Sequence, residues 1–143
     1  LGSVVVDLAE RDVHGEPVRL HSLEDARYKP LPAPSVTCVF TSHVLEHIPD
    51  LSFLTKLKTR YLAVAVPYCR VRELGSGGDE WFRNWRMLLP NEHLHHFDRL
   101  SLQDFLSSQG FECVTLNTFE DGIRLRTGET GPNILSGLFR KAV

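Results

Sequence analysis

The run Tyr61-Leu62-Ala63-Val64-Ala65-Val66 is nearly all apolar on both alternations, which a strand tolerates when both of its faces are covered. Val36 to Thr41 is a second run of this kind. Val4-Val5-Val6-Asp7 reads as a short β-branched strand ending in an acid, and Val18 to Leu23 alternates as a further strand before Glu24-Asp25. Between Thr41 and Tyr61 the residues Val44, Ile48, Leu51, Leu54 and Leu57 recur at three- and four-residue intervals, as on one face of a helix. Pro49 divides that stretch into a helical turn and a longer helix restarting at Pro49-Asp50. Strands joined through helices become parallel neighbours, with the crossovers covering the sheet. The expected fold is therefore α/β, a doubly wound and mainly parallel sheet.

The C-terminal third changes character. Ser101-Leu102-Gln103-Asp104 has capping-box spacing and Gly110 suits a C′ position, so a short helix burying Leu102, Phe105 and Leu106 is predicted between them. Phe111–Phe119 and Ile123–Thr127 flank Glu120-Asp121-Gly122, a hairpin signal that closes the sheet with an antiparallel strand. The tail from Gly128 has no clear pattern. Residues 70–97 form an excursion containing Gly75-Ser76-Gly77-Gly78, read as a surface loop because no GK[ST] and no evident helix follow. Trp81, Phe82 and Trp85 come next, either as a lid on an acceptor pocket or as cover for the sheet. We read residues 1–143 as one domain, with Leu1-Gly2-Ser3 resembling the scar of a removed tag.

Sixteen Lys+Arg against eighteen Asp+Glu give a net charge of −2, which carries no bulk signal for nucleic acid or a membrane surface. No apolar run approaches the ~20 residues of a membrane-spanning helix. Cys38, Cys69 and Cys113 form no CxxC, so a disulfide framework is not expected and a reduced, cytoplasmic setting is. In open α/β sheets ligands lie outside the carboxyl ends of the strands. That rule singles out Asp7, Glu24-Asp25, Thr41-Ser42-His43 and Pro67-Tyr68, each following an apolar run.

Val39-Phe40-Thr41-Ser42-His43-Val44-Leu45-Glu46-His47-Ile48-Pro49-Asp50 resembles the motif after the fourth strand of class I S-adenosylmethionine-dependent methyltransferases. His95-His96-Phe97-Asp98-Arg99-Leu100-Ser101-Leu102, with Gln109-Gly110-Phe111 beyond it, is similar to a downstream signature of the same superfamily. The resemblance runs from about Val4 to Thr127. It implies a Rossmann-like methyltransferase fold with S-adenosylmethionine as cofactor and a small-molecule or sugar-type acceptor. Asp7 would then accept from the ribose hydroxyls, Glu24 or Asp25 would lie near the adenine, and Thr41 and Ser42, with His43, would border the methyl group. A carboxylate suits the ribose because it only accepts. His43, His47, His93 and His95 are the candidate bases, since histidine titrates near neutrality; each is equally readable as a hydrogen-bonded packing residue.

The family's first strand and Gly-rich turn have no counterpart here: Asp7-Leu8-Ala9-Glu10-Arg11-Asp12 stands where glycine allows close backbone approach. An N-terminally truncated or degenerate copy is therefore expected, with a catalytically inactive binding or scaffold module as the alternative to an enzyme. Its unpaired strand edges would favour a homo-oligomer or strand exchange. His43-Val44-Leu45-Glu46-His47 also fits the HxxEH zinc pattern. Pro49 leaves little helix there and only two ligands are locally placed, so no metal is assigned.

Overall fold

The computed structural model describes residues 36–124 and 131–142, all within one compact unit, Ala33–Val143. Four strands, β1 (Val36–Ser42), β2 (Thr59–Pro67), β3 (Phe111–Asn117) and β4 (Ile134–Lys141), form one mixed sheet in the order β1-β2-β4-β3. β1 and β2 are parallel, with Cys38 opposite Tyr61 and Ser42 opposite Ala65. β4 is antiparallel to both β2 and β3, so β1, β2 and β3 share one direction and β4 alone opposes them. The two apolar runs are thus strands and parallel neighbours, as expected, but β1 is not covered on both faces, since Cys38 and Phe40 are exposed. The predicted strands Val4–Asp7 and Val18–Leu23 lie outside the described residues, as do Asp7, Glu24 and Asp25.

Alternation along β2 sends Leu62, Val64 and Val66 into the core with Leu135 and Phe139 of β4. Leu45, Leu51, Leu54 and Leu57 join them from the β1–β2 connection, and Leu102 and Leu106 from α3 (Arg99–Ser108). Of the residues with helix-face spacing, Leu51, Leu54 and Leu57 are buried while Val44 and Ile48 are half-buried, and the longer helix expected after Pro49 is cut to one turn. A 3-10 turn, Leu45–His47, is followed by α1, only Phe53–Lys56. Pro49 cannot continue the turn, and Asp50 accepts from Ser52 N at 2.9 Å, a local turn that competes with helix.

Three further readings are corrected. The cap of α3 is Asp98, not Ser101: Asp98 Oδ1 accepts from Ser101 N at 2.7 Å and Ser101 Oγ accepts from Asp98 N at 2.9 Å. Gly110 does occupy C′, with φ 83°. Residues Glu120-Asp121-Gly122 make no tight hairpin turn. Asp121–Arg124 is a helical turn, α4, and β3 pairs instead with β4 from the uninformative tail. The buried Asp121 carboxylate explains this, because it accepts from Asn133 N and Ile134 N at 2.9–3.1 Å and so fixes the start of β4. Finally, Gly78 opens a helix, α2 (Gly78–Asn84), after a 3-10 turn at Gly75–Gly77. Among the described residues no helix is long and apolar enough to cross a membrane.

Candidate functional site

β1 ends at a sharp turn. His43 holds φ 53°, a left-handed conformation that costs a non-glycine residue about 1–2 kcal/mol, and its N–H donates to Ala65 O of β2 at 2.8 Å. The carboxyl ends of β1 and β2 therefore share one rim, bringing Thr41, Ser42 and His43 to the same end of the sheet as Pro67 and Tyr68. Thr41 is buried and its Oγ1 has no hydrogen-bond partner; Nε2 of His43 is buried and unpartnered too. Buried polar atoms are normally satisfied, so two orphans two residues apart at a strand end make this rim the candidate site.

Beyond the turn lies a carboxylate that the sequence reading did not include among its site residues. Glu46 is fully buried, 0% exposed, and neither oxygen has a hydrogen bond. His43 Nδ1 stands 3.4 Å and His47 Nε2 3.8 Å from Oε1. The only sequence signal was the HxxEH spacing, which gave no hint that the acid points inward. Glu46 O accepts from Leu94 N at 2.7 Å and His95 N at 3.3 Å, so the histidine-dense loop is tied directly to this turn.

Those ties decide what each ring can do. His47 Nδ1 meets Glu92 O at 2.9 Å and His93 Nδ1 meets Met87 O at 2.8 Å. A carbonyl only accepts, so both rings carry a proton on Nδ1, which frees the Nε2 lone pair of the neutral ring. The two rings sit edge to face, centroids 4.7 Å apart. His95 donates through Nε2 to Ile48 O at 2.9 Å and stacks on Phe97. Of the four candidate bases, His43, His47 and His93 thus gather around Glu46, while His95 is tethered to the backbone beside them.

A cavity of about 330 Å³ opens nearby, lined by Cys69, Val71, Arg72, Phe82, His96, Asp98 and Ser101. The His96 ring meets Phe82 edge-on at 5.5 Å and Trp85 at 5.8 Å; its Nε2 is buried without a partner. Burial first, then the neighbouring His93 and His95, push its pKa down, so the ring is neutral at pH 7. Trp85 is buried and stacked on Trp81, while Phe82 alone of the three lines the cavity. Arg72 is engaged by Asp98 through Nε and Nη2, the latter at 2.7 Å. That pairing holds the Asp98 carboxyl down at about 2.

A mixed α/β domain whose parallel strands end in a polar, histidine-lined rim is the class defined by fold and site. A family model described as a methyltransferase domain matches residues 3–116, and the chain belongs to that family. No curated protein and no solved structure matches the chain.

Proposed function

We propose that the chain is an S-adenosylmethionine-dependent methyltransferase domain of the doubly wound, Rossmann-like kind, transferring a methyl group to a small-molecule or sugar-type acceptor. The observation that carries this is the orphaned pair Thr41 Oγ1 and His43 Nε2 at the carboxyl end of β1, where ligands lie in open α/β sheets, in a chain of the methyltransferase-domain family. When bound, the cofactor supplies an electrophilic methyl group on a sulfonium. Thr41 and Ser42 would border it, with Asp7 and Glu24 or Asp25 as the proposed ribose and adenine partners.

The chain's own contribution is positioning and proton handling, since in-line methyl transfer depends chiefly on alignment. His43 is the best-built base. Its Nδ1 faces the Glu46 carboxylate, which orients the ring with its proton on Nδ1 and leaves the Nε2 lone pair to take a proton from an acceptor hydroxyl. The three free cysteines fit a reduced, cytoplasmic setting.

Isothermal titration with S-adenosylhomocysteine tests the reading. One-to-one binding is expected, weakened by Asp7→Ala and by about tenfold in Thr41→Val, the cost of losing one hydrogen bond. Absence of binding in the folded chain would replace this reading with that of an inactive methyltransferase-like scaffold module.

A further inference from the structure

We infer that Glu46, His47 and His93 form a binding site for a divalent transition-metal ion of the zinc class. One ligand atom from each lies within 4.8 Å of the other two. At bond lengths of about 2.0–2.2 Å, two ligands on a tetrahedral ion stand roughly 3.3–3.6 Å apart, so the site closes on a metal by about 1.5 Å or less.

Three independent features point to a cation rather than to packing. The first is the carboxylate itself: fully buried, with both oxygens lacking a hydrogen bond. An isolated buried anion is costly unless it is paired or coordinates a metal, and the nearby histidines meet it only at 3.4 and 3.8 Å. The second is the orientation of the rings. His47 and His93 each donate Nδ1–H to a backbone carbonyl, the outer-shell arrangement that fixes the tautomer of a metal-ligating histidine and leaves Nε2 to coordinate. The third is rigidity: the loop carrying His93 is pinned to the turn carrying Glu46 and His47 by Leu94 N and His95 N on Glu46 O. Two imidazoles and one carboxylate select zinc or its first-row neighbours over magnesium, which prefers an all-oxygen shell.

Three protein ligands leave at least one coordination position for water or an oxygen ligand, and His47, the half-exposed member, lies on the open side. His43 keeps its place as an outer partner, its Nδ1 facing the same carboxylate. This site stands or falls independently of methyl transfer, because it rests on the ligand geometry alone.

The test is calorimetric titration of Zn2+, and separately Mg2+, into the untagged, chelator-dialysed full chain, with Co2+ absorption as a second readout. One Zn2+ per chain is expected, with Mg2+ far weaker. Glu46→Gln and His93→Gln should each lower Zn2+ affinity by about 100-fold or more, at least the effect of disturbing an outer-shell partner. His47→Gln, at a half-exposed ring, should do the same without threatening the fold, and circular dichroism verifies that all three variants are folded. Cys38→Ser, at an exposed thiol, should leave affinity unchanged. Absence of stoichiometric Zn2+ binding, preference for Mg2+, or binding untouched by His47→Gln would overturn the proposal, whatever the cofactor titration returns.

Discussion

Asp98 shows how one side chain serves both fold and site. It caps α3 through Ser101, pairs with Arg72, and lines the cavity beside His96. These roles separate by substitution. Asp98→Ala loses the cap and should cost about 1–2 kcal/mol, whereas Asp98→Asn keeps a capping oxygen and should cost no more than about 1 kcal/mol. The ion pair itself contributes little, because the Arg72 side chain is 61% exposed and solvent screens it. It does leave a pH signature. The Asp98 pKa falls from 3.8 to about 2 on folding, so its stabilisation is present above about pH 4 and is lost as pH falls towards 2. Urea unfolding across that window should show a steeper acid loss in the native chain than in Asp98→Asn. Equal slopes would remove Asp98 from the linkage.

At the scale of elements, the contrast between two adjacent glycines is informative. A Cβ at Gly78 would lie 2.0 Å from Val71 O, a backbone atom that cannot step aside alone, whereas one at Gly77 meets nothing within 4 Å. Gly78→Ala should therefore displace the start of α2 and cost about 1–3 kcal/mol, while Gly77→Ala should be neutral or gain up to about 1 kcal/mol. Thermal unfolding of the pair checks this, and equal melting temperatures would refute it. No sequence pattern announces that close approach, because it is made by Val71, seven residues earlier. The same limit explains which elements were legible. β1 and β2 were, because each is an unbroken apolar run of strand length, although only β2 is largely buried and β1 leaves Cys38 and Phe40 exposed. The Thr41–His43 rim was, because it follows directly from a strand end. The longer helix after Pro49 was not, since Leu51, Leu54 and Leu57 carry the spacing of a helix face although only Leu54 lies on the helical turn α1. Nor was β4, whose start is fixed by Asp121, a residue that local rules assign to a turn. Glu46 was visible as a letter in a motif, but its burial depends on residues 92–95 folding back over it.

For the whole molecule, the strand that reads worst in the sequence holds the sheet together. β4 lies between β2 and β3 and supplies the backbone partners of both, so neither pairs with the other without it. Its packing is as central as its hydrogen bonding. Phe139 is fully buried in the core cluster, opposite Leu62 on one side and Cys113 on the other. Gly137 makes room for it, since a Cβ there would stand 2.6 Å from the Phe139 ring and 2.9 Å from Leu116. Phe139→Ala should thus cost about 3–5 kcal/mol, a large share of the roughly 5–15 kcal/mol that holds a domain folded. The loss should be felt at the far side of the sheet as well as locally. The parallel pair β1–β2 carries the rim, and β2 keeps its register partly through β4. Hydrogen exchange in Phe139→Ala should therefore rise along β2 from Tyr61 to Val66 together with β3. A rise confined to β3 would show that β1 and β2 hold the rim without their antiparallel neighbour.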